Sequence, residues 1–108
     1  MEKAFAKFHG NYARTVAGDP VAGVATLNGS PYERFWNKNL SEAEIWKLLS
    51  EHDHDTTRSL MIAGTPCSGG SDDTTNINGL VNCHAFTILG IQELSTGEKL
   101  VKMRNPWG

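Results

Sequence analysis

Two β-type runs, His84 to Leu94 and Lys99 to Arg104, flank the tetrapeptide Ser95-Thr96-Gly97-Glu98, and this pattern constrains the fold more than any other stretch of the chain. The glycine suits a short connection, so the runs are expected to pair antiparallel as a hairpin. An antiparallel hairpin brings its open ends together. His84 opens the outgoing strand and Asn105 closes the returning one, so two residues distant in sequence are expected to be neighbours in space.

The remaining local signals describe short elements around that hairpin. In Leu40-Ser41-Glu42-Ala43-Glu44-Ile45, Ser41 can accept from a free backbone N–H while Glu44 reaches back, a capping box with Leu40 and Ile45 as its apolar staple. A helix is expected to start there and bury Ile45, Leu48 and Leu49, with Trp46 at the edge, until Glu51-His52-Asp53-His54-Asp55 ends the pattern. Phe5, Phe8 and Tyr12 at helical spacing predict an amphipathic helix over Glu2 to Tyr12. A brief helix is expected around Val21 to Leu27, between turns, while Tyr32 to Trp36 suits strand or helix equally. Ser59 to Ala63 reads as a buried strand. Gly64 to Val81 is a long polar segment rich in Gly and Ser, and loops of that length are commonly functional or disordered.

Composition narrows the partners. The chain has 108 residues, 39% of them hydrophobic, which suits one domain spanning 1–108. A net charge of −2 without a Lys/Arg cluster gives no basis for a nucleic-acid partner. No apolar run approaches the roughly 20 residues of a membrane span. Met1 to Phe8 lacks the pattern of a secretory signal, and two cysteines are too few for a disulfide scaffold, so a reducing, cytoplasmic setting is expected. Cys67 is read as an ordinary loop thiol.

An imidazole beside a carboxamide has a specific use in thiol chemistry. The amide oxygen accepts from one ring N–H, fixing the ring so that the other nitrogen faces a cysteine sulfur. The histidine takes the thiol proton, the thiolate attacks, and the imidazolium later protonates the leaving amine. Asn orients the ring without adding a second negative charge.

The motif Asn82-Cys83-His84-Ala85-Phe86 resembles the histidine strand of papain-like proteases. Arg104-Asn105-Pro106-Trp107-Gly108 resembles the calpain form of their asparagine motif, and Glu2-Lys3-Ala4-Phe5-Ala6-Lys7 is similar to the helix that opens the second half of calpain protease cores. The likeness runs along essentially the whole chain, strongest at 2–7 and 84–108. It implies an α+β fold, dominated by antiparallel sheet with short flanking helices and equivalent to the second subdomain of a papain-like cysteine protease. It further implies that His84 is the catalytic base, Asn105 its orienter, and Trp107 an aromatic cover that keeps water from their hydrogen bond. The segment Thr65 to Val81 takes the place of a flexible loop that would gate the substrate cleft.

The departures from the family pattern carry equal weight. The family's nucleophile belongs to a glutamine-to-cysteine motif of a preceding subdomain, which is the expected partner of this chain along with a protein or peptide substrate. Cys83 neighbours His84, and alternation along a strand would turn its sulfur away from the ring. The expectation is therefore half of a calpain-like endopeptidase core, inactive alone, with a non-catalytic binding or regulatory module as the rival. No cofactor is expected in this segment. If the full-length parent uses Ca2+, the family's acidic ligands lie largely after the Asn-Pro-Trp-Gly motif.

Other features have plainer readings. His52, Asp53, His54 and Asp55 place two ligands on each side of an extended segment, which suits a solvated helix exit better than a metal site. Asp72 and Asp73 lack the spacing of a calcium loop. Trp36 and Trp46 are expected in a core or at a subdomain interface.

Overall fold

In the computed structural model of Met1–Gly108, residues 1–53, 59–67 and 78–107 are described. The chain groups into two units, Met1–Arg34 and Phe35–Gly108.

The first unit is helical. Helix α1 spans Glu2–Phe8, with Glu2 in its first turn and Lys7 in its last, the charge order that complements the helix dipole. It ends sooner than the apolar spacing predicts because Gly10 turns left-handed at φ +102°. Asn11 then starts a separate 3₁₀ turn, Tyr12–Thr15, by accepting from the Arg14 N–H at 3.1 Å. Phe8 and Tyr12, expected on a buried face, are 75% and 54% exposed, whereas Ala6 is buried. Helix α2 spans Pro20–Asn28, close to its predicted place. Asp19 caps it by accepting from the Val21 N–H at 3.0 Å and also pairs with Arg34. Pro20 at its first position loses no intrahelical bond by lacking an N–H.

Residues 31–36, which span the end of the first unit and the start of the second, form neither strand nor helix, and Trp36 is 59% exposed, so of its two expected places, a core or a subdomain interface, it does not occupy the first. Helix α3 spans Glu42–Glu51 and starts on the predicted capping box. Ser41 Oγ accepts from the Glu44 N–H, and the Glu44 carboxylate accepts from the Ser41 N–H at 2.8 Å and from its hydroxyl at 2.7 Å. These bonds hold the Glu44 carboxyl below the usual glutamate range.

Strands β1 (Met61–Gly64), β2 (Ala85–Glu93) and β3 (Lys99–Arg104) form an antiparallel sheet in the order β1-β2-β3. The architecture is thus compatible with α+β. The predicted hairpin forms through Gly97, left-handed at φ +97°, whose N–H returns to the Leu94 carbonyl at 2.9 Å while the Leu94 N–H reaches the Glu98 carbonyl at 2.9 Å. That left-handed position favours glycine because a Cβ would be strained there. Lys99 Nζ lies 5.3 Å from the Trp46 ring centroid, linking α3 to the turn end of the hairpin.

The pairing shifts by one residue between Ile88 and Gly90, a bulge that the strand pattern does not announce. Beyond it, Ile88 pairs with Met103 and Thr87 with Arg104, which sets the register at the open end of the hairpin. Phe86, on the central strand, is 7% exposed. Burying such a side chain contributes about 1.5–3 kcal/mol, and it anchors the sheet at the end where His84 lies.

Candidate active site

His84 immediately precedes the central strand, and both neighbouring strands determine where it sits. On one side, the register Ala63↔Phe86 and Gly64↔Ala85 runs on by one residue, so Thr65 faces His84. The Thr65 N–H donates to the His84 carbonyl at 2.9 Å, and the His84 N–H donates to Thr65 Oγ1 at 3.0 Å. On the other side, Asn105 and Trp107 follow β3 directly.

The structure brings His84, Asn105 and Trp107 together. His84 Nε2 lies 2.9 Å from Asn105 Oδ1, and the Trp107 backbone N–H donates to the same oxygen at 3.0 Å. The second contact determines the first. A backbone N–H can only donate, so the atom it meets is the amide oxygen, and Nε2 opposite that oxygen must carry the ring proton. The neutral imidazole is thereby left with Nδ1 as its basic nitrogen. Pro106 has no N–H, so the turn offers Oδ1 the Trp107 N–H instead.

Aromatic rings flank the imidazole. Trp107 lies 4.4 Å away between centroids at a 55° tilt, and the Phe86 ring meets it edge-on at 5.0 Å. His84 and Phe86 share a face because they are two residues apart along extended backbone. The indole covers part of the imidazole, although Trp107 itself is 59% exposed and His84 and Asn105 are half-buried.

The cysteines depart from expectation. Cys67 and Cys83 form a disulfide, so Cys67 is not a loop thiol and neither sulfur is available as a nucleophile. Cys83 does not lie on a strand. It occupies a turn at φ +49°, a conformation uncommon for a side chain larger than glycine, and its N–H donates to the Pro66 carbonyl at 3.3 Å. Strained backbone beside a reactive group is a recurring property of functional sites.

Among the described residues, no group of three or more His, Cys, Asp or Glu could hold a metal ion. His52 caps the end of α3, while His54, Asp55, Asp72, Asp73 and most of the expected gating segment lie outside the described residues. Sequence reasoning missed Thr65, which it read as the first residue of a loop. The available signal was its position two residues beyond the predicted strand Ser59 to Ala63, while its place opposite the histidine comes only from the β1–β2 register.

The comparisons with known proteins agree with the motifs. The model of the calpain family of cysteine proteases matches residues 1–108, and the chain belongs to that family. It is 33% identical over 113 residues to the calpain-type cysteine protease ADL1 of Oryza sativa subsp. japonica, and 34% identical over 113 residues to calpain-14 of Homo sapiens. Calpain-10 of Mus musculus is 33% identical over 116 residues. These alignments take in 99% to 100% of this chain, but it spans only 5% of the rice protein, 15% of human calpain-14 and 17% of mouse calpain-10. No solved structure matches the chain.

Proposed function

We propose that this chain supplies the general base and its orienting amide to a calpain-type cysteine endopeptidase, as the second subdomain of a papain-like core. The observation that carries this reading is the doubly occupied Asn105 Oδ1, which assigns the ring proton of His84 to Nε2 and leaves Nδ1 to act. Nδ1 takes the proton of a thiol, and the thiolate adds to the peptide carbonyl carbon. The imidazolium then protonates the departing amine as the C–N bond breaks. Water, deprotonated by the same nitrogen, hydrolyses the acyl-thioenzyme and restores the thiol. Through both half-reactions Nε2 stays on Asn105, and Trp107 limits the ring's freedom to turn.

The thiol comes from elsewhere, since both cysteines of this chain are engaged with each other. Its partner is a cysteine-bearing protease subdomain and its substrate a protein or peptide; the reducing, cytoplasmic setting expected from the sequence loses its basis, because the two cysteines form a disulfide, a bond rare in such a compartment. No helix among the described residues is long and apolar enough to cross a membrane. Calcium, if the parent uses it, binds outside this segment.

Reconstituting the chain with a cysteine-bearing calpain subdomain and measuring peptide hydrolysis tests the reading. His84→Ala is expected to lower turnover on the order of 10²–10⁴-fold, the usual contribution of a positioned acid–base group. Hydrolysis unaffected by that substitution, or steady cleavage by this chain alone, would overturn the proposal.

A further inference from the structure

We infer that Thr65 is a positioning residue for His84, acting through its hydroxyl; this rests on the reading of His84 as the general base. The Thr65 hydroxyl is used in both directions. Its oxygen accepts from the His84 N–H at 3.0 Å, and its proton is donated to the Val81 carbonyl at 2.6 Å. The backbone of the same residue donates to the His84 carbonyl at 2.9 Å. Both polar groups of the His84 main chain are therefore held by one residue. The hydroxyl also joins His84 to Val81, three residues earlier, across the turn that contains Cys83.

The neighbouring turn explains why such a tie is needed. His84 lies just outside the regular sheet, directly after a residue at φ +49°. The backbone bond from the Thr65 N–H holds only the His84 carbonyl, which the Thr65 hydroxyl also approaches at 3.2 Å, and the Pro66 carbonyl accepts from the Cys83 N–H. Without the hydroxyl, the His84 N–H would lose its protein acceptor at a half-buried position, and the Cα from which the imidazole projects would be held on one side only. The distance from Nε2 to Asn105 and the ring contact with Trp107 both depend on that Cα. Threonine supplies what serine could also supply, whereas valine matches its shape without the oxygen.

Thr65→Val and Thr65→Ser separate the hydroxyl from the methyl. In this chain, proton NMR reads the ring-current shift that Trp107 imposes on the His84 ring, together with the exchange protection of the His84 amide. Thr65→Val is expected to lower that protection by about tenfold, as for loss of one net hydrogen bond, and to reduce the ring-current shift. Thr65→Ser is expected to keep both. In the reconstituted protease, Thr65→Val should lower kcat by about tenfold or more with KM nearly unchanged, since misplacing a catalytic group acts on the chemical step, and Thr65→Ser should restore kcat.

An unchanged His84 spectrum in Thr65→Val would overturn the inference. So would a Thr65→Ser spectrum that loses these features, a result readable even if the valine variant does not fold. Loss of the spectral features without any change in kcat would also overturn it when His84→Ala abolishes hydrolysis. If instead His84→Ala leaves hydrolysis intact, the protease reading fails, and the two spectra still decide whether the hydroxyl holds the histidine.

Discussion

Replacing Asn105 with alanine removes one oxygen and two hydrogen bonds, at 2.9 Å to the imidazole and 3.0 Å to the Trp107 N–H. A neutral hydrogen bond contributes about 0.5–1.5 kcal/mol net. Water can replace the acceptor at the exposed Trp107 N–H, which puts that bond at the low end. The imidazole N–H is half-buried and belongs nearer the middle, so Asn105→Ala is expected to destabilise by about 1–2 kcal/mol. For a unit the size of Phe35–Gly108, that is a fall in Tm of roughly 5–15 °C. The pairwise term can be isolated by a double-mutant cycle with His84→Ala, measured by urea unfolding followed by circular dichroism. The expected coupling is about 0.5–1.5 kcal/mol. Effects that add to within about 0.3 kcal/mol would refute the reasoning, because the two side chains would then share no energetically relevant bond.

Two further outcomes follow from the local geometry. Opening the Cys67–Cys83 bond by reduction, or replacing both residues with serine, should lower stability by about 2–4 kcal/mol, because the bond closes a loop between residues 16 apart and restricts the unfolded chain; a matching urea midpoint with and without reductant would count against this. The carboxyl of Glu44 titrates lower in the folded state than in the unfolded chain because Ser41 donates to its ionised form. Its stabilising effect is therefore fully present above the unfolded-state glutamate value and is lost as pH falls through the lower folded value. Helicity of α3 should decline with acid over that window, and Glu44→Gln should flatten the response in a circular dichroism titration.

The elements legible in the sequence were those specified by contacts within a few residues. Ser41 and Glu44 sit three apart, close enough for each to satisfy the other's backbone, and α3 begins where they place it. Gly97 marks the turn because its own conformation requires it, and from that hairpin the meeting of His84 with Asn105 follows. The same local reasoning overextended α1, where the apolar spacing of Phe5, Phe8 and Tyr12 hid the break at Gly10. Features set by distant partners were not visible. The bulge at Leu89 reflects how β2 and β3 settle against each other, and no residue type there demands it. Thr65 matters because the β1–β2 register continues one step past its last regular pair. The pairing of Cys67 with Cys83 likewise depends on β1 and β2 lying side by side, which draws the two ends of an intervening polar segment together.

That pairing has a practical consequence for labelling experiments on the proposed protease. The chain has two cysteines and both sulfurs are committed, so under non-reducing conditions an electrophile aimed at thiols finds no target on it. In a reconstituted protease, mass gained by the other subdomain then counts reacted nucleophiles without background from this one. Mass gained by this chain registers a different event, the opening of its covalent ring. One labelling experiment thus yields two independent readings, active-site titration from one polypeptide and redox state from the other.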